Sequence, residues 1–174
     1  MNGCERLADA QRRMFLTRAT VAVVGGVAVT TQPSRSAPAP GLARVTYPSS
    51  HLGNLEELRV NEPKAVTYPD AESPGVLVKL GVGVEGGVGP EGDIVAFSTQ
   101  CPHKGFPLFY RPDDRTLSCP GHYSRYDCER GGMLVWGHAT QNLPQFKLRV
   151  TAEGDIVAEG VDELIYGRTS NILT

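Results

Sequence analysis

The sequence has no excess of charge of either sign, no long unbroken apolar run, and no sustained helical stripe. Its 174 residues carry 17 basic and 19 acidic side chains for a net charge of −2. That excludes the basic patch on which nucleic-acid binding depends. No stretch longer than about ten residues keeps apolar side chains at helical spacing between caps, so a helical bundle is excluded. Cysteine is scarce: Cys4, Cys101, Cys119 and Cys128 are the whole set. Their spacing does not read as a disulfide framework, and two of them have a histidine close by. What the chain has in quantity is turn formers, 20 Gly and 13 Pro. Together with an ordinary 40% hydrophobic content, they point to one all-β folded unit plus a tail.

The tail is the first stretch of chain. Arg12-Arg13-Met14-Phe15-Leu16 is a basic pair followed by apolar residues, and a mild apolar run from Ala19 to Val29 is interrupted by Gly25-Gly26. Small residues, Ser36-Ala37-Pro38-Ala39, come next. This is the layout of an export signal, and Gln11 to Leu16 resembles the twin-arginine type. A membrane-spanning helix needs ~20 mostly apolar residues, and this run is too short and too Gly-broken. Residues 1–43 are therefore expected to be a leader, and residues 44–174 the mature domain. That domain has 12 basic and 17 acidic residues, with membrane association at most peripheral and the periplasm as its expected destination. The twin-arginine route carries folded proteins, which anticipates a cofactor loaded before export.

From residue 44 onward, short strands alternate with turn signals. Expected strands are Glu57–Val60, Ala65–Tyr68, Val76–Leu80, Ile94–Ser98, Arg115–Ser118, Met133–Trp136, Phe146–Val150 and Asp155–Glu159. Ser49 to Leu58 has room for a short turn. Pro112-Asp113-Asp114 and Ala152-Glu153-Gly154 supply hairpin turns. Gly81 to Gly92 reads as a mobile surface loop; it lacks the lysine and following helix that a phosphate loop requires. The fold class is a small antiparallel β-sandwich or barrel.

Chemistry concentrates in two turns, Cys101-Pro102-His103 and Cys119-Pro120-Gly121-His122. Each brings a soft sulfur and an imidazole nitrogen to one place. Three centres suit such a set. Zinc accepts two cysteines and two histidines, but its usual finger pairs like with like and puts the histidines on a helix. A Cys101–Cys119 disulfide leaves unexplained why two of only four histidines stand in these turns. A Rieske 2Fe–2S cluster takes two cysteines on one iron and two histidines on the other.

Cys101-Pro102-His103-Lys104-Gly105 resembles the first box of the Rieske family, and Cys119-Pro120-Gly121-His122-Tyr123-Ser124-Arg125-Tyr126 the second. The cluster-binding part covers about residues 94–146. The resemblance implies one cluster per chain, with Cys101 and Cys119 on the inner iron and His103 and His122 on the outer. It also implies that Ser124 and Tyr126 donate hydrogen bonds to cluster sulfur, raising the potential. Gly137 to Pro144 resembles the loop that covers the cluster, with His138 where many members have proline. Many members clip their two boxes with a disulfide; Phe106 and Gly121 occupy those positions, so Phe106 packing over Gly121 is expected instead. Cys128 reads as a buried thiol.

A Rieske centre moves electrons and makes no bond to substrate, so no catalytic residue is expected on this chain. The stretch from Val45 to Arg168 is similar to the small subunit of bacterial arsenite oxidase. That similarity implies a large molybdopterin iron–sulfur subunit as partner and a periplasmic cytochrome c or copper protein as electron acceptor. The alternative is the Rieske subunit of a membrane quinol-oxidising cytochrome bc-type complex.

Overall fold

The structure is a computed structural model that describes residues 46–172. The leader, with Arg12, Arg13 and Cys4, and the boundary at residue 44 lie outside the described residues. In chain order the strands are β1 (Ser50–Asn54), β2 (Lys64–Thr67), β3 (Pro74–Lys79), β4 (Ile94–Ser98), β5 (Phe109–Arg111), β6 (Thr116–Ser118), β7 (Arg125–Asp127), β8 (Met133–Trp136), β9 (Phe146–Val150) and β10 (Asp155–Val161). They form three antiparallel sheets, ordered β1-β10-β9, β2-β3-β4 and β5-β6-β7-β8. This is the expected all-β antiparallel architecture with a small cluster-binding subdomain.

The middle sheet explains the arrangement. Every residue of β4 is buried, so this strand has core on both faces and reads as a continuous apolar run, not as an alternating one. Side chains on successive strand residues point to opposite faces. Val76, Val78, Val95 and Phe97 accordingly enter one core, shared with Cys101, Leu117, Cys119 and Tyr126. Leu77, Ile94 and Ala96 enter the other, shared with Phe146, Ile156 and Ala158. Fully burying one such side chain is worth ~1.5–3 kcal/mol. The two cysteine turns therefore spring from a sheet anchored on the first core.

Three expectations need correction. Glu57–Val60 is not a strand. A single 3-10 turn, Leu55–Glu57, begins after Asn54, whose side chain accepts a hydrogen bond from the Glu56 amide at 3.1 Å. That cap wins over any extended preference, and Val60 makes only an isolated bridge to Lys79. The short turn expected within Ser49 to Leu58 thus shares that stretch with β1. Strands β1, β5 and β7 went unread; β5 and β7 are three residues long and carry charge, Phe-Tyr-Arg and Arg-Tyr-Asp, and β1 is the mostly polar Ser-His-Leu-Gly-Asn. The glycine-rich loop is not loose: Val84 and Val88 pack against the two cores. Its backbone is laced by bonds such as Val84 N–H to Gly92 O at 2.9 Å and Val88 N–H to Ile94 O at 2.9 Å. Among the described residues no helix is long and apolar enough to cross a membrane.

Candidate metal centre

Two loops with the same backbone closure carry the predicted donors. In the first, between β4 and β5, the Cys101 amide donates to Phe106 O at 2.9 Å and the Gly105 amide to Cys101 O at 2.7 Å. In the second, between β6 and β7, the Cys119 amide donates to Ser124 O at 2.8 Å and the Tyr123 amide to Cys119 O at 3.1 Å. Both rings tuck the cysteine inward and project the intervening histidine outward. Closure puts the fourth residue after each cysteine in the left-handed region, φ 69° at Gly105 and 61° at Tyr123. Gly105 has a second reason to be glycine, because an added Cβ would fall 2.6 Å from the Tyr166 ring. Tyr123 accepts the conformation at a cost of about 1–2 kcal/mol, and its side chain is exposed.

The third loop is held against the second. Gly137 has φ 108°, and a Cβ there would meet Ser124 Cα at 2.4 Å. The next amide, of His138, donates to Ser124 Oγ at 3.2 Å. Phe106 lies over Gly121, its ring carbons 3.0–3.2 Å from where a Cβ would stand. The expected packing of Phe106 over Gly121 is thus present.

Sulfurs and nitrogens segregate. Cys101 and Cys119 are buried free thiols. Burial raises the Cys119 thiol pKa, with the Cys101 side chain adding to the effect. On the outer side the His103 and His122 rings meet edge to face with centroids 4.7 Å apart. His138 stands 6.1 Å from His103 and 6.3 Å from His122. Burial is the main cause that lowers the His103 pKa, with the other imidazoles and Lys104 contributing, which favours the neutral ring that can ligate. Tyr126 is fully buried, and its hydroxyl lies 3.4 Å from Cys101 Sγ. Desolvation, with the cysteine beside it, pushes its pKa up, which keeps the phenol protonated as a donor. Ser124 is buried as well.

The arrangement suits a two-iron group. Among the described residues no three His, Cys, Asp or Glu side chains converge as a single-ion site. The donors instead stand as a pair of sulfurs inside and a pair of imidazoles outside. His103 Nδ1 is buried without a hydrogen-bond partner, a lone pair that an iron would satisfy. Cys128 is a buried thiol, as expected; burial pushes its pKa up to about 12. The role of Tyr166 against the first loop was not foreseen. It comes from the far end of the chain, and only the close approach at Gly105 reveals it.

Comparison with known proteins agrees with this geometry. Residues 50–147 match the family described as Rieske [2Fe-2S] domain. The chain is 40% identical to iodate reductase subunit IdrB of Denitromonas iodatirespirans, covering 91% of this chain and 88% of that one. It is 39% identical to the subunit of the same name from Pseudomonas sp. strain SCT, over 89% and 84%. The Rieske iron–sulfur subunit of the cytochrome bc1 complex of Corynebacterium efficiens is 37% identical, but over only 40% of this chain and 17% of that one. Among solved structures, the soluble domain of Rieske protein II (soxF) from Sulfolobus acidocaldarius superposes with a TM-score of 0.61 at 24% identity. It covers 72% of this chain and 85% of that one, and it speaks for the fold.

Proposed function

The chain belongs to the Rieske 2Fe–2S family, and from that premise we propose that it is the electron-transfer subunit of a periplasmic molybdenum oxidoreductase acting on a small oxyanion. A bound Rieske cluster supplies one-electron transfer and makes no bond to substrate. The chain's own residues supply the rest. Cys101 and Cys119 would hold one iron as thiolates, and His103 and His122 would hold the other. Tyr126 holds its hydroxyl beside Cys101 Sγ, and Ser124 Oγ ties down the His138 amide of the third loop. Phe106 packs on Gly121 and Tyr166 on Gly105, each against one of the two loops.

The observation that carries this reading is the match to iodate reductase subunits along nearly the whole chain, where cytochrome bc1 relatives match only part of it. Two substrates are each favoured by a separate observation. Similarity of the mature chain to the arsenite oxidase small subunit favours arsenite oxidised to arsenate, with electrons leaving to a cytochrome c or copper protein. The named relatives favour iodate as the species reduced. The paired arginines of the leader support folded export to the periplasm.

Purification of the native complex with metal analysis tests the proposal. Molybdenum and iron together, with turnover of arsenite or iodate, are expected. A complex without molybdenum that is reduced by quinol would overturn it in favour of a cytochrome bc-type assembly.

A further inference from the structure

The segment after β10, from Asp162 to Ile172, is fastened at several points to the body of the domain. Asp162 Oδ1 accepts the Gln145 amide at 2.7 Å. Ile165 is buried in the second core, and its amide donates to Asn171 Oδ1 at 2.9 Å. Asn171 Nδ2 donates to Glu163 O at 2.8 Å and to the Tyr47 hydroxyl at 3.1 Å. Arg168 forks onto Asp70 at 2.6 and 3.0 Å. A two-point guanidinium–carboxylate pair fixes direction as well as position. The segment is a strap rooted in the second core.

Two residues of the strap reach the cluster loops. Tyr166 is 40% exposed and belongs to neither core, so burial alone does not explain where its ring lies. It lies against the first loop, where a Cβ on Gly105 would fall 2.6 Å from two of its ring carbons. The Gly105 amide is the one that closes this loop onto Cys101 O. At Leu164 the backbone carbonyl accepts Gln141 Nε2 of the third loop at 3.2 Å. The first and third loops are each tied to the second, through Phe106 on Gly121 and through the His138 amide on Ser124 Oγ. The strap therefore joins a ring of three loops, carried by the first core, to the second core.

We propose that Tyr166 is a positioning residue for the cluster: its ring, held by the strap, fixes where the first loop stands and hence how Cys101 Sγ meets the Tyr126 hydroxyl. The two partners of that 3.4 Å contact come from different elements, Cys101 from the first loop and Tyr126 from β7. A shift of the loop changes the contact directly. A donor bond to cysteine sulfur favours the reduced cluster, so loosening the loop lowers the potential. Gly105 is met by ring carbons, so phenylalanine serves as well as tyrosine. The inference rests on the four donors holding the cluster, whatever oxyanion the complex acts on.

The test uses the full chain with its cluster, as wild type, Tyr166→Phe, Tyr166→Ala and Tyr166→Leu. Hydrogen exchange compares the peptide Cys101–Leu108 with that of β4, and a redox titration reads the potential of each variant. In Tyr166→Ala the Cys101–Leu108 amides should exchange roughly tenfold faster while β4 is unchanged, and the potential should fall. Tyr166→Phe should match wild type in both. In a Tyr126→Phe background, Tyr166→Ala should lower the potential less, because the bond it acts through is gone. Should Tyr166→Ala fail to fold, Tyr166→Leu decides on the same readouts. Wild-type exchange and potential in Tyr166→Ala would overturn the role, as would equal acceleration in both peptides, an undiminished effect in the Tyr126→Phe background, or a Tyr166→Phe variant as impaired as Tyr166→Ala. A wild-type chain that holds no iron would refute the cluster reading and the positioning role with it.

Discussion

Replacing Tyr126 with phenylalanine removes one oxygen and should lower the midpoint potential of the cluster without dismantling it. The hydroxyl is 3.4 Å from Cys101 Sγ and fully buried, and its raised pKa keeps it a donor at any working pH. Its bond strengthens when the sulfur gains negative charge, so it favours the reduced state. A hydrogen bond to a charged group is worth roughly 1.5–3 kcal/mol. For one electron 59 mV corresponds to ~1.4 kcal/mol, which sets an expected drop on the order of 60–130 mV if the whole bond acts on the reduced state. The ring itself stays, so no cavity opens beyond the missing oxygen. A spectroscopically monitored redox titration of wild type and Tyr126→Phe, each at full iron content, reads the difference. A rise or an unchanged potential would refute the donor role.

Gly137→Ala should prevent cluster assembly, because its Cβ would strike the Ser124 backbone at 2.4 Å; iron content of the purified variant checks this. Cys128 should resist iodoacetamide at pH 8 in the folded protein and react only after unfolding, since burial holds its thiol at about pKa 12; mass spectrometry of the labelled peptides decides. Asp70 accepts two hydrogen bonds from Arg168, at 2.6 and 3.0 Å, and this pairing lowers its pKa. Asp70→Asn should therefore cost about 1.5–3 kcal/mol at neutral pH. That stability is present above the ordinary carboxylate value and lost as pH falls through the depressed folded one. The gap between wild-type and Asp70→Asn melting temperatures should close below about pH 4, and a gap that widens in acid would contradict the assignment.

The strands that were legible from sequence are those with apolar residues enough to declare themselves. Ile94–Ser98, Met133–Trp136 and Phe146–Val150 have the expected bounds. The hairpin turn at Pro112-Asp113-Asp114 joins β5 to β6, and that at Ala152-Glu153-Gly154 joins β9 to β10. Arg125–Asp127 was illegible because its pattern is charge, aromatic, charge, and only pairing on both sides makes it a strand. Within the site, Cys101, His103, Cys119 and His122 were legible because unlike donors recur at short spacing in two turns. Contacts such as Tyr166 on Gly105 join residues 61 positions apart, and no local pattern encodes them.

The most direct test of the account is the metal content and EPR spectrum of the reduced, purified chain beside its four ligand variants. Two irons and two sulfides per chain with a Rieske-type signal are predicted for wild type, and loss of both in Cys101→Ser, Cys119→Ser, His103→Ala and His122→Ala. One zinc per chain, or an unchanged signal in any of the four variants, would contradict it.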